Sequence, residues 1–521
     1  MSFVITTPLY YVNDKPHLGS TYTTLACDAL ARFHRLEGEK VIFITGVDEH
    51  GQKIQRKAES LHTNPQQHCD QITRSYIDQW KSWHITYDRF VRTTSKNHQN
   101  LVNQFFSRVK SSNDIYIGHQ TGWYCVGCEE YKDVEEDKDI EEDNKPFCTI
   151  HQKQLEWRDE ENLFFRLSKY QSHIEDLIAD NDFILPTSRA NEIRNFVQTG
   201  LKDFSISRVN LSWGIPVPGF KGHTFYVWFD ALLGYLTAIL DDGYEIDIER
   251  LNQLEWPASI HVIGKDIIRF HAVYWPAMLI SAGLEVPKQL FGHGFLTSEG
   301  RKMGKSLGNV LDPTQLLKTY GNEPIRWFLL SDIQFGNDGD FQQRRFIDLV
   351  NNDLANTIGN MLNRSVSMSR KWFNNSVPSF NYSLSDNSIL ATKSLDSIEI
   401  VRTNLRYLRF HEASSSIVNL AKYANVFINE QEPWKKIKDQ SQTKEVAMII
   451  YEVLETARII GVMLTPLVPN LSSKILTQLS CESDYKEWQT KLQWGLLKQG
   501  SILPKPEPLI TKIETGIHNE K

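Results

Sequence analysis

Apolar and polar positions along the first hundred residues follow two rhythms. Short apolar runs, Phe3–Thr7 and Val41–Thr45, have the length and β-branched content of buried strands. Around them, His17–Leu36, Gln66–Trp80 and Asn97–Val109 carry apolar residues at helical spacing. Strands separated by helices predict βαβ units and a parallel sheet. The rhythm stops near Ser111–Tyr124, and Asp133–Lys145 is polar and acidic. It resumes at Phe225–Tyr235, Ile260–Gly264 and Leu290–Leu296, with a helix expected over Asp266–Ala282. An α/β domain with a Rossmann-like parallel sheet, split by an inserted module, fits that order. From about Phe341 the strand signal disappears. Ile347–Phe373, Leu395–Asn429 and Thr443–Leu464 predict an all-helical bundle, broken at Asn374–Ser385 and Glu430–Gln442. The expected division is 1–113 and 225–300 for the two halves of the sheet domain and 114–224 for the insert. Residues 301–355 link to the bundle, which with its C-terminal tail takes 356–521.

Composition narrows the class. A chain of 521 residues is too long for one ordinary core. With 40% apolar and 23% charged residues it has the make-up of a globular protein and not of a disordered one. No apolar run approaches the roughly 20 residues that cross a bilayer. The opening Met1–Thr6 lacks the basic-then-apolar order of a secretory leader, so a cytoplasmic protein is expected. A net charge of −7 leaves local basic surfaces to meet any nucleic acid. Six cysteines in so long a chain do not make a disulfide scaffold. Cys27, Cys69 and Cys481 stand alone and read as buried thiols.

Three constellations carry chemistry. Cys125-Val126-Gly127-Cys128 and Cys148-Thr149-Ile150-His151 each place two soft ligands at i and i+3. That spacing suits a closed tetrahedral site, a structural zinc knuckle, although a sulfur-rich tetrahedron also accepts iron. Three buried thiols beside a surface histidine are the bland alternative, and the paired spacing argues against them. Pro16-His17-Leu18-Gly19-Ser20 lies where the first strand passes into its helix. A helix start offers free N–H groups to an anion; His17 could donate to phosphate, and Gly19 permits close approach of a nucleotide. In Gly300–Asn309, Lys302 and Lys305 stand in a glycine-rich loop, a cationic clamp suited to a leaving pyrophosphate. A P-loop needs glycine at position 299, which is Glu299.

Together these residues resemble the class I aminoacyl-tRNA synthetases. His17–Ser20 is similar to their His-Ile-Gly-His motif, and Lys302–Ser306 to their Lys-Met-Ser-Lys-Ser loop. Within the class, Thr6–Asn13, Thr45–Lys53 and Phe225–Ala231 resemble the methionyl-tRNA synthetase family, and the likeness runs to near the C-terminus. Ser20 stands in place of the second histidine and Gly304 in place of the first serine, a variant resembling cyanobacterial and organellar members.

The resemblance implies ATP-dependent activation of L-methionine and its transfer to the 3′-terminal ribose of tRNA(Met). It implies a methionine pocket of Pro8, Leu9, Tyr11, Trp228, Leu232, Tyr235, Ile267 and His271, with Asp48 for the α-amino group. ATP with Mg²⁺ is expected across His17, Gly19, Ser20, Gly264 and Asp266, with Lys302 and Lys305 over the phosphates. His17, Ser20, Lys302 and Lys305 are the expected catalytic residues, and Asn360, Arg364 and Trp434 the expected anticodon site. Leucyl, isoleucyl and valyl enzymes carry a far larger insert than the interval from Ile115 to His223 allows. A relative that binds tRNA without catalysis is expected to have lost Lys302 and Lys305, and both are present. A monomer with one structural zinc is expected.

Overall fold

The first strand, Phe3–Tyr11, buries Val4, Ile5, Thr6 and Thr7 in succession, as a strand covered on both faces must. It lies in the middle of a six-stranded sheet in the computed structural model. That model describes residues 2–126, 130–132, 146–148, 153–209, 211–303, 311–380, 388–481 and 487–514. The sheet order is Arg89–Arg92, Val41–Asp48, Phe3–Tyr11, Ile260–Gly264, Leu290–His293, Ile184–Leu185. Ile5 pairs with Ile260, His261 with Leu290, and Ile44 with Arg89, all in parallel. The order reverses direction about the first strand, so its carboxyl end and that of Ile260–Gly264 flank a topological switch point, where open α/β sheets bind ligands.

Two compact units emerge. One comprises Met1–Pro16 and Ile42–His293, the other His17–Val41 and Gly294–Lys521. In the first unit the helices Pro65–Ser82 and Lys96–Ser111 occupy the expected helical stretches. The interval near Ser111–Tyr124, where the sequence rhythm stops, holds a strand, Ile115–Cys125, paired antiparallel with Glu156–Phe165. Its side chains alternate between half-buried and exposed along most of its length, so no continuous apolar run marks it. Expected as one helix, Asp266–Ala282 is three pieces. A 3₁₀ turn Lys265–Ile267 leads into a π-helical turn Phe270–Tyr274, and an α-helix follows at Trp275–Ser281. Pro276 has no N–H to return to the preceding turn, so a regular helix cannot run through it.

The second unit is helical. Leu18–Leu36 is its first helix, and its Asp28 forms a fully buried ion pair with Arg326 of the helix Asn322–Ser331 at 2.9 Å. Arg326 Nε also donates to the Leu467 carbonyl at 2.9 Å. At the far end of the same helix Glu37 accepts from Arg402 at 2.7 Å. The apolar run Leu395–Asn429 is two helices, Ile389–Arg406 and Phe410–Gln431, with Leu408 in the left-handed region between them. Helical periodicity continues across such a short reversal, so periodicity alone cannot find it. Thr443–Met463 is the buried axis of the bundle. The tail is tied down by two hydrogen bonds of 2.9 Å between Asn351 and Ile513. Of the three isolated cysteines, Cys27 and Cys69 are buried as expected, whereas Cys481 is only half-buried.

Candidate functional site

At the carboxyl ends of the central strands stand Pro8, Leu9 and Tyr11 from the first, Asp48 from the second and Gly264 from the fourth. One wall is built by the short helices Val227–Ala231 and Gly234–Leu240 and by the broken helix after Gly264. Trp228 stacks on Phe270 with ring centroids 4.0 Å apart and meets His271 edge-on at 6.2 Å. Tyr235 and His271 are hydrogen-bonded at 2.9 Å, and Nδ1 of His271 reaches the Ile267 carbonyl at 3.1 Å. A carbonyl only accepts, so Nδ1 carries the ring proton and Nε2 accepts from the Tyr235 hydroxyl. Burial pulls the His271 pKa down to about 4, against the smaller opposing effect of the Ile267 carbonyl, so the ring is neutral near pH 7.

Leu9 packs where Gly234 has no side chain; a Cβ there would stand 2.3 Å from Leu9 Cδ1. Leu232 and Tyr235 are buried in the same apolar cluster against which Leu9, Trp228 and Ile267 pack. His271 thus touches Trp228, Tyr235 and Ile267, while Leu9 and Leu232 belong with them to the same core. Of the others, Pro8 is half-buried directly after the buried run Val4–Thr7, and Tyr11 lies under the Lys53 ammonium, 5.5 Å from its ring centroid.

Asp48 opens a turn whose neighbours are committed to the scaffold. Its carboxylate accepts from the His50 N–H at 3.4 Å. Glu49 pairs with Arg92 at 2.8 Å and accepts from Thr73 at 2.7 Å. His50 Nδ1 donates to Asp230 at 2.6 Å, and His98 Nε2 donates to the other oxygen of Asp230 at 2.6 Å. Burial by itself would raise the Asp230 pKa, but the attraction of His50 and the two imidazole hydrogen bonds bring it down to about 2. No local motif marks His50, Asp230 and His98 as partners, since their positions span almost the whole of the unit.

A second group invisible in sequence surrounds Arg208. This buried guanidinium lies 4.0 Å above the Tyr226 ring and donates to Ser205 Oγ at 2.9 Å. Its Nε has no hydrogen-bond partner among the described residues. It lines a small open pocket together with Arg158, Tyr124, Tyr226, Gly51 and Gln52.

The remaining expected residues fall as follows. His17 is the N-cap of the helix Leu18–Leu36 in the second unit, in a reciprocal capping box. The Ser20 N–H donates to His17 Nδ1 at 3.3 Å, and the His17 N–H donates to Ser20 Oγ at 3.1 Å. A Cβ on Gly19 would meet the His17 ring at 2.9 Å. Gly264 and Asp266 lie in the first unit, just after the strand Ile260–Gly264. Lys302 ends the strand Arg301–Lys302 of the second unit, and Lys305 lies outside the described residues. Cys125 and Cys148 are buried together with Leu155 in a small cluster, and Cys128 and His151 lie outside the described residues. Among the described residues no group of three metal-binding side chains assembles.

In the second unit Asn360 and Arg364 share a face of the helix Asn360–Trp372. Asn360 donates to Asn425 at 3.2 Å and Arg364 to Asn429 at 2.9 Å. The Arg364 guanidinium stands 5.7 Å from the Trp434 ring centroid, so Arg364 and Trp434 meet, with Asn360 one turn away on the helix face of Arg364. Trp434 lies on a short helix, Pro433–Lys436, and not in a loop as its surroundings suggest; Glu432, left-handed with φ 44°, turns the chain into it.

A parallel sheet with residues gathered at its switch point, a capped helix after the first strand and a helical unit with a basic, aromatic face define a class I aminoacyl-tRNA synthetase. Comparison with known proteins agrees. The family of tRNA synthetases class I (M) matches residues 3–138 and 134–366, and the anticodon binding domain of methionyl tRNA ligase matches residues 377–520. The chain belongs to the methionyl-tRNA synthetase family. It is 49% identical to the methionine–tRNA ligase of Nostoc sp. over 98% of this chain and 97% of that one. It is also 49% identical to the methionine–tRNA ligase of Synechocystis sp., over 98% of each chain. The structure of Mycobacterium tuberculosis methionyl-tRNA synthetase in complex with methionyl-adenylate superposes with a TM-score of 0.91. That match has 35% sequence identity and covers 98% of this chain and 100% of the other. No described helix is long and apolar enough to cross a membrane.

Proposed function

We propose that this methionine–tRNA ligase binds the methionine side chain against Trp228, Leu232, Tyr235, Ile267 and His271, with Leu9, Pro8 and Tyr11 closing the pocket. An unbranched thioether is uncharged and polarizable, and it favours aromatic surface with few polar groups. The observation that carries this reading is the Tyr235–His271–Ile267 relay, which holds a neutral imidazole inside an aromatic wall. Asp48 is the anchor for the α-amino group.

The enzyme activates methionine with ATP and passes it to tRNA(Met). The methionine carboxylate attacks the α-phosphate of ATP, pyrophosphate leaves, and the terminal ribose hydroxyl then attacks the methionyl carbonyl and releases AMP. No side-chain nucleophile is needed; the chain contributes alignment and charge stabilisation. His17, Gly19, Ser20, Gly264 and Asp266 are proposed for ATP, and Lys302 and Lys305 for its phosphates. The capping box supports this for His17: its Nδ1 accepts from the Ser20 N–H, which leaves Nε2 as the donor. Mg²⁺ accompanies the nucleotide and neutralises phosphate charge. Cys125, Cys128, Cys148 and His151 are proposed to hold a structural zinc, a role suited to the burial of Cys125 and Cys148 against little apolar surface. Asn360, Arg364 and Trp434 are proposed to read the anticodon, the aromatic ring stacking on a base and the polar groups meeting its edge. The enzyme is taken to act in the cytoplasm as a monomer.

Methionine-dependent ATP–pyrophosphate exchange tests the pocket. Exchange with methionine and with no other standard amino acid is expected, and Tyr235→Phe should raise the methionine KM more than it lowers kcat. Equal exchange with leucine, or none from folded, zinc-replete protein, would overturn the reading.

A further inference from the structure

An amino acid anchored at its ammonium and sensed at its side-chain tip is measured by the distance between those two places. In this chain the ammonium anchor, Asp48, sits at the end of a strand, and the sensing wall sits on short helices 180 residues further along. The Asp48 carboxylate also accepts from Thr93 Oγ1, at 3.5 Å, and the wall leans on the rest of the unit. The helix Val227–Ala231, which carries Trp228, is only 5 residues long. A single turn gains little from its own hydrogen bonds. Asp48 is followed by Glu49-His50-Gly51, a turn that ends in Gly51 with φ 117°.

Asp230 ties these parts together. It is wholly buried, as is His98, and His50 is nearly so. One carboxylate oxygen accepts from His50 and the other from His98, each at 2.6 Å. His50 lies two residues beyond Asp48 and donates its backbone N–H to the Asp48 carboxylate at 3.4 Å. On the other side His98 Nδ1 meets Thr237 Oγ1 at 2.8 Å, two residues past Tyr235 in the helix Gly234–Leu240. A carboxylate bonded at both oxygens by rigid rings has little freedom, so it transmits position.

We propose that Asp230 is a positioning residue that sets the spacing between Asp48 and the aromatic wall, through His50 on one side and His98 on the other. It thereby sets the side-chain length the enzyme accepts. The inference rests on the assignment of Asp48 and Trp228 to methionine made above. One methylene in an apolar pocket is worth roughly 10- to 200-fold in discrimination. Loss of the strut therefore has a measurable range to act on.

The test is ATP–pyrophosphate exchange with methionine, with ethionine, one methylene longer, and with norvaline, one atom shorter. Active-site titration normalises each preparation. Asp230→Asn keeps the shape but sets an amide N–H against one imidazole N–H. His50→Ala removes a donor that His50→Asn retains, and His98→Gln retains donor and acceptor together. Asp230→Asn and His50→Ala should raise the methionine KM by about tenfold or more, within the 100-fold that a 1 Å misplacement costs. The methionine-to-ethionine ratio of kcat/KM should fall, while His50→Asn and His98→Gln match the parent. Parameters unchanged in Asp230→Asn and His50→Ala would overturn the proposal. So would an equal loss for all three substrates at constant KM, the mark of a merely structural part. Asp48→Ala separates the two levels: an unchanged methionine KM there would sink the site assignment itself.

Discussion

The Tyr235 hydroxyl donates to Nε2 of His271 at 2.9 Å because the other nitrogen of that ring is committed to the Ile267 carbonyl. The pair presents an uncharged face to a substrate side chain that is itself uncharged. A protonated imidazole there would need a counter-charge, and burial removes that option.

That burial makes the first unit sensitive to acid. The folded His271 has a pKa of about 4, below the unfolded value of roughly 6.5, so the unfolded chain binds more protons. The stability contribution is complete above about pH 6.5 and is lost as pH falls towards 4. Between pH 7 and pH 5 the loss from this one ring is about 2 kcal/mol. Urea unfolding at the two pH values measures it, and His271→Gln should show a shallower pH dependence than the parent. His261, which burial also shifts downward, acts in the same direction in both proteins. Identical pH dependences would mean that His271 is not the titrating group.

Arg326 and Asp28 are both fully buried, so removing Arg326 takes away a buried cationic partner of Asp28 and leaves it with Arg32, 2.8 Å away on its own helix. Arg326→Met should destabilise the second unit by less than the roughly 3–5 kcal/mol of a fully uncompensated buried charge, since Arg32 stays beside Asp28. Asp28→Leu combined with Arg326→Met should recover most of that loss, since an apolar pair of similar volume avoids the desolvation cost. Denaturant midpoints of the single and double variants check this. A double variant as weak as the singles would show that packing, and not charge, holds this helix.

Trp434 and Arg364 should matter for tRNA and not for adenylate formation. Trp434→Ala should weaken tRNA charging by roughly 1–3 kcal/mol, the range for loss of one base–aromatic stack, and leave methionine-dependent exchange at the parent value. Aminoacylation kinetics beside the exchange assay decide it. A parallel fall in both would place Trp434 in the scaffold of the bundle.

Metal analysis of protein purified without chelators should find one zinc per chain. Cys148→Ser should abolish it and lower the unfolding temperature of the first unit, as a structural site contributes folding energy directly. Protein fully depleted of metal that melts as before would rule out a structural role.

Read alone, the sequence determined the class of fold and the chemistry available to it. Apolar runs separated by helical spacing sufficed for the parallel sheet, since burial on both faces leaves a continuous apolar signature in Phe3–Thr7 and Val41–Thr45. The motifs at Thr6–Asn13, His17–Ser20, Thr45–Lys53 and Phe225–Ala231 carry Pro8, Leu9, Tyr11, His17, Gly19, Ser20, Asp48 and Trp228 among the expected site residues, each motif being a local string, whereas Leu232, Tyr235, Ile267 and His271 lie outside those strings. The strand Ile115–Cys125 stayed hidden because it shows most of its side chains at least partly to solvent. The reversal at Leu408 was invisible because two antiparallel helices share one periodicity. Tertiary structure alone decided the partners. Asp230 finds His50 and His98 across separations of 180 and 132 residues, and Asp28 finds Arg326 across 298. A single buried carboxylate reads in sequence like any exposed one; only packing reveals which donors share its desolvated site, and that sharing is what holds a pocket to its length.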